Sequence, residues 1–100
     1  MSKLIPSLVR WNKEGNDIYI ALKTDPSNYI PLVKLNSEYV CIINSPAEEP
    51  LYYRYIIDGI DQFDPDSPSK LLGTHMYNYI TPIPSETITS LKAEYENALS

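Results

Sequence analysis

The chain is 100 residues long, 43 % hydrophobic and 21 % charged, a size that holds one core and a composition that excludes a disordered polypeptide. Its net charge of −5, with eight Lys plus Arg and no basic cluster, excludes a duplex nucleic-acid surface, which needs clustered cations to neutralise phosphates. No apolar run is long enough for a signal-peptide core or a membrane span, and the lone Cys41 can form no internal disulfide, so the expected location is a reducing one, the cytoplasm.

Nine Tyr against one Trp and one Phe, and nine Pro against three Gly, lean towards strands joined by Pro-punctuated loops. Apolar runs recur at intervals of roughly ten residues, the spacing of a sandwich or barrel. The first predicted strand is Leu8 to Asn12, ended by the turn-prone Lys13-Glu14-Gly15-Asn16. The second is Asp17 to Lys23, with Ile18, Ile20 and Leu22 on one face and Tyr19 and Ala21 on the other. Thr24 to Asn28 reads as a loop, and Ile30 to Leu35 as a short strand whose Pro31 suggests an edge or a strand start. Glu38 to Asn44 is the most apolar run, with Cys41 inside it, closed by Ser45 to Pro50.

Leu51 to Ile57 alternates, with Leu51, Tyr53, Tyr55 and Ile57 on one face and Tyr52, Arg54 and Ile56 on the other. Asp58-Gly59 ends it as a tight turn. Residues 60–74, with three Asp, two Pro and a Gly, read as an irregular loop containing one short strand, and Met76 to Thr81 is the last strand. After Pro82 and Pro84 the period changes: Ile88, Leu91, Tyr95 and Leu99 recur at helical spacing behind an N-cap at Ser85. A helix of about 13 residues is marginal alone, so its stripe must rest on the sandwich or on a partner. The prediction is an all-β, immunoglobulin-like sandwich of about seven short antiparallel strands over 1–83, with an amphipathic helical tail over 84–100.

The catalytic inventory is thin. One His (His75) and one Cys exclude a His cage or a Cys-rich zinc site, and a Cys41/His75 pair would place its thiol in an apolar strand, where thiols are inert. Three scattered Gly build no phosphate-cradling loop. Asp58, Asp61, Asp64 and Asp66 invite a calcium reading, but they lack the alternate ligand spacing of an EF-hand and read better as turn-makers beside Gly59 and Pro65. The prediction is therefore no enzyme, no metal and no cofactor. The Tyr content is the better lead, because Tyr offers a flat apolar face with a hydrogen-bonding rim, as sugar rings require.

Several short motifs occur in one order: Arg10-Trp11, Asp17-Ile18-Tyr19-Ile20, Pro31-Leu32, Tyr39-Val40 with Pro46 beyond, Tyr53-Arg54-Tyr55 before Asp58-Gly59, Asp64-Pro65, Leu72-Gly73-Thr74 and Asn78. In this order and spacing the chain resembles, from about Leu8 to Thr81, the glycogen-binding module of AMP-activated protein kinase β subunits, within carbohydrate-binding module family 48. The resemblance implies a non-catalytic module that holds an α-1,4-glucan on aromatic platforms, a cation and a Leu-x-Thr-…-Asn segment. It carries the cation role to Arg54 and the segment to Leu72, Thr74 and Asn78, with one residue inserted before Asn78. Two tryptophan platforms that it implies are missing. One loop reads Thr24-Asp25-Pro26-Ser27-Asn28-Tyr29 and the other Ile60-Asp61-Gln62-Phe63, leaving Tyr29 and Phe63 as the nearby rings. Trp11 matches a core position of the family.

Two functions follow as expectations. The first is binding of α-glucan or glycogen through Tyr29, Arg54, Phe63, Leu72, Thr74 and Asn78, recruiting or regulating a partner. The second is a protein-interaction domain that kept the sandwich and lost the sugar, docking a protein partner through an edge strand or through Ile88, Leu91, Tyr95 and Leu99.

Overall fold

A computed structural model of the chain describes residues 3–99. It is a β-sandwich of nine strands and one helix among those residues: β1 Leu4–Trp11, β2 Ile18–Leu22, β3 Asp25–Pro31, β4 Val33–Leu35, β5 Glu38–Pro46, β6 Leu51–Ile57, β7 Ile60–Gln62, β8 Ser69–Leu72, β9 His75–Ile80 and α1 Glu86–Leu99. A three-stranded sheet runs β1-β5-β4, and a six-stranded sheet runs β3-β2-β6-β9-β8 with β7 also paired to β6. Every pairing is antiparallel.

Alternation decides which side chains meet between the sheets. Ile18, Ile20 and Leu22 stand opposite Ile57, Tyr55 and Tyr53, and these rows close on Val9, Trp11 and Cys41 of the smaller sheet. Trp11 lies 4.7 Å from Tyr55, ring centre to ring centre. The Trp11 indole donates to the Glu14 carbonyl (3.1 Å), and the Tyr55 hydroxyl donates to the Arg10 carbonyl (2.7 Å). Both polar tips are thus satisfied inside an apolar core.

Tight turns follow from local chemistry. Asp58 and Gly59 both take positive φ (52° and 81°), the two-residue hairpin that Asp-Gly favours, and it joins Ile57 to its partner Ile60. The Asp58 carboxylate also accepts the backbone N–H groups of Asn16 and Asp17 (3.0 and 2.8 Å), which fixes the turn before β2. Gly15 there has φ 148°, and a Cβ on it would lie 2.5 Å from the Ile57 side chain, so no larger residue fits without a shift.

Three readings change. Asp25 to Asn28 is strand: β3 is a free edge, so Pro26 and Pro31 break no hydrogen-bonding ladder on its open side. The run Ile30 to Leu35 is two strands in two sheets, because the buried Leu32 is a pivot between them and its N–H bonds to the Ile18 carbonyl (2.9 Å). The segment 60–74 holds two strands, β7 and β8, which with β3 raises the count from about seven to nine.

The helix starts as its sequence indicates. The Ser85 hydroxyl accepts the Ile88 N–H (3.3 Å) and the Ser85 carbonyl accepts the Thr89 N–H (3.0 Å), satisfying groups that a helix start leaves open. The helix lies across β1, β4 and β5. Tyr95 is buried in the core cluster, with Ile88 and Leu91 packed against it, so three of the four residues expected to dock a partner rest on the chain's own sandwich. Leu99 is 50 % exposed.

Candidate functional site

The helix covers the smaller sheet, so the outer face of the six-stranded sheet is not beneath it. Register builds that face. Arg54 on β6 stands opposite Ala21 on β2, and Ala21 stands opposite Tyr29 on β3, so the three side chains share one lateral row. At ordinary strand spacing Tyr29 is about 10 Å from Arg54 across the sheet. Ala21 is fully buried in this row, a small residue between the larger ones. Tyr29 also contacts Tyr19 (6.3 Å between ring centres), and Tyr52 contacts Tyr79 (5.8 Å), which makes the face rich in aromatic edges.

Next to Arg54 the surface dips into a hollow of about 290 Å³. Arg54 comes from β6, Asp61 and Gln62 from β7, Phe63 from the segment after it, Thr74 from the β8–β9 turn, and His75 and Met76 from β9. The hollow exists because β7 and β9 both pair with β6 at successive stretches of its length. Arg54 forms an ion pair with Asp61 through Nη1 and Oδ2. The pairing of Ile56 with Asp61 explains it, since Asp61 then lies on the Arg54 face, one diagonal step away.

Of the expected site residues, Arg54, Phe63 and Thr74 line the hollow together. Tyr29, 50 % exposed, shares the Arg54 row but sits two strands away. Leu72 is opposite His75 at the end of β8 and does not line the hollow. Asn78 is a correction: it is fully buried, and its amide is consumed inside the fold. Its Oδ1 accepts the Asp64 N–H (2.8 Å), and its Nδ2 donates to the carbonyls of Asp64 (2.9 Å) and Pro68 (3.1 Å). On β9 it faces Tyr53 of the core row, so the inward parity of the strand takes it away from any ligand. Sequence reasoning had not picked Asp61, Gln62, His75 and Met76 as site residues. Asp61 was detectable in principle, as the acid two residues past an Asp-Gly turn that folds it back beside the strand carrying Arg54.

Two further acids of the Asp cluster, Asp64 and Asp66, are tied into the fold. The buried Asp64 carboxylate accepts from the Asp66 N–H (3.0 Å) and the Ser67 hydroxyl (3.0 Å) and pairs with the Lys13 ammonium (2.9 Å), which also reaches Asp66 (2.7 Å). Burial alone would push the Asp64 carboxyl up, but the Lys13, Asp66 and Ser67 donors outweigh it and hold the group below the usual carboxylate range. Burial pushes the Cys41 thiol up to about 12 and the Tyr53 and Tyr55 hydroxyls above their ordinary value. Cys41 therefore stays a thiol at neutral pH, on the inner face and apart from His75 in the hollow.

The fold and the hollow define a β-sandwich module with an open, neutral, aromatic-flanked recess on its larger sheet. The chain is 32 % identical over 72 residues to the 5'-AMP-activated protein kinase subunit beta-2 of Mus musculus and of Homo sapiens. It is 28 % identical over 71 residues to the subunit beta-1 of Sus scrofa. Each match covers 69 % of this chain, but the chain spans only 26 % of the beta-2 subunits and 57 % of that beta-1 sequence. Over this region the chain is homologous to the beta subunits of 5'-AMP-activated protein kinase. No protein-family model matches it.

Proposed function

We propose that the chain is a non-catalytic α-glucan-binding module that takes a glycogen-like polysaccharide on the outer face of its six-stranded sheet and so recruits or regulates a protein partner in the cytoplasm. The observation that carries this reading is the convergence of Arg54, Phe63 and Thr74 on one exposed hollow, with Tyr29 in the Arg54 row on the same face. Of these, the family resemblance carries glucan contact to Arg54 and Thr74, while Phe63 and Tyr29 are the rings nearest to its two missing platforms. Phe63 supplies a ring at the hollow and Tyr29 a second one beyond it, in place of the two absent tryptophans. By analogy with base stacking, each stacked ring contributes about 1–3 kcal/mol, so weakened platforms lower affinity by about tenfold or more per ring. The protein partner follows from the relatives, which are subunits of a protein kinase.

Glycogen co-sedimentation of the purified chain tests the reading, with maltoheptaose as competitor and Arg54→Ala as control. Pelleting that maltoheptaose reverses and the substitution abolishes is the expected result. A chain left in the supernatant sinks the glucan reading.

A second reading has its own observation. Strand β8 is an unpaired edge of the large sheet with Leu71 60 % exposed and no Pro within it, a geometry suited to an added strand from a protein partner. Failure to pellet with glycogen, joined to capture of the kinase subunits by the wild type and not by Leu71→Lys, favours this reading.

A further inference from the structure

Arg54 is the only Lys or Arg lining the hollow, and Asp61 the only carboxylate. The two are paired, with side chains 25 % and 52 % exposed. Their formal charges cancel. An unpaired guanidinium in such a place binds phosphate or sulfate in a bidentate fork. Here an anion would have to displace Asp61 from Arg54 or lie against its carboxylate. One nitrogen of Arg54 is engaged by Asp61 Oδ2, whereas a guanidinium has five N–H donors. The second Asp61 oxygen takes no hydrogen bond among the described residues. The recess therefore offers charged donors and a charged acceptor side by side, and Gln62 and Thr74 add neutral groups of both kinds. Adjacent hydroxyls of a sugar, each donating and accepting, match that arrangement.

Resting on the glucan reading above, we propose that Asp61 is the specificity-determining residue of this hollow. By neutralising Arg54 and accepting a hydroxyl proton itself, it selects an uncharged sugar with vicinal hydroxyls and rejects an anionic one. Asp61 lies in the segment where the family resemblance implies a tryptophan platform, so hydrogen bonding is added beside the Phe63 ring at this end of the site.

The experiment is a calorimetric titration of the full chain and of Asp61→Ala and Asp61→Asn. Two probes are used, maltoheptaose and the same oligosaccharide carrying a phosphate monoester. The nearly isosteric Asn variant removes the charge with little change of shape, and Trp11 fluorescence confirms that each variant is folded. The wild type is expected to prefer the neutral probe. Both variants are expected to bind the neutral probe about tenfold more weakly and the phosphorylated one more tightly, inverting the preference. A merely structural role for Asp61 would weaken both probes alike. If the wild type binds maltoheptaose and the variants keep its preference, the proposal is overturned and the glucan reading stands. If the wild type binds neither probe, the glucan reading falls and the proposal with it. A wild type that prefers the phosphorylated probe also overturns the proposal.

Discussion

Asn78 accepts the Asp64 N–H and gives a second donor to the carbonyls of Asp64 and Pro68, which also accept from the Ser67 N–H (3.3 Å) and the Tyr79 N–H (3.1 Å). Asn78→Ala removes all three partners from a fully buried site and is expected to cost about 2–4 kcal/mol, read as a lower urea midpoint with little change in slope. Asp64 adds a pH dependence of definite sign. Its carboxyl is held below the ordinary range by Lys13, Asp66 and Ser67, so its contribution is complete above the unfolded carboxylate range and is lost as pH falls through the folded value. Asp64→Asn should therefore flatten the acid limb of a stability-against-pH curve and leave its alkaline limb unchanged. Cys41, its thiol pushed up to about 12 by burial, should resist a thiol reagent at pH 8 in the native chain and react at once in denaturant. The sequence made Cys41 legible as core because apolar β-branched residues flank it. It misled at Asn78, since the family order of residues says nothing about the strand parity that turns this amide inward.

Elements with a strong period were legible, and those set by an edge were not. Strand β6 has the bounds its alternation indicates, Leu51–Ile57, because a central strand packed on a core must segregate its two faces. Strand β3 was hidden by Pro26, Ser27 and Asn28, which read as breakers. These residues bulge out between the Leu22–Asp25 and Ala21–Tyr29 pairings, and an exposed edge imposes no apolar pattern that a reader could detect. The division of Ile30 to Leu35 at Leu32 was likewise invisible, because a strand that changes sheets keeps its apolar character throughout. The helix was legible from its spacing, although spacing alone left open whether the sandwich or a partner received it. Its packing yields a graded pair of tests. Ser85→Ala removes the cap at a cost of about 1 kcal/mol, whereas Tyr95→Ala empties a core site and is expected to cost about 3 kcal/mol. Urea titrations that gave the two variants equal midpoints would contradict the packing described for α1.

Helix, small sheet and large sheet form three stacked layers, and the middle one touches both others. Trp11, the only tryptophan, sits between the two sheets at 4 % exposure, so its emission reports on the join between them while helical circular dichroism reports on the outer layer. Coincident thermal transitions by the two probes are expected of one cooperative unit. A helical signal lost well before the tryptophan shift would make α1 a separately melting layer. The sandwich class was legible from turn spacing and Tyr content. The assignment of strands to sheets was not, because it depends on pairings between distant segments.

Those pairings also bear on time. Leu4 meets Pro46 and Ile18 meets Ile57, partners separated by about forty residues along the chain, so hairpins can start either sheet but neither can be completed from neighbours alone. Large loops must close before their contacts return any free energy, which places refolding in the range of milliseconds to seconds rather than microseconds. The partners of β5 along its edges, β1 and β4, precede it in the chain, but the residues that cover its faces come from β6 and α1, so a nascent chain emerging from the ribosome leaves the apolar β5 run exposed until that later segment is free to move. Crowded expression at high temperature should therefore lose this protein to aggregation before its equilibrium stability is exhausted.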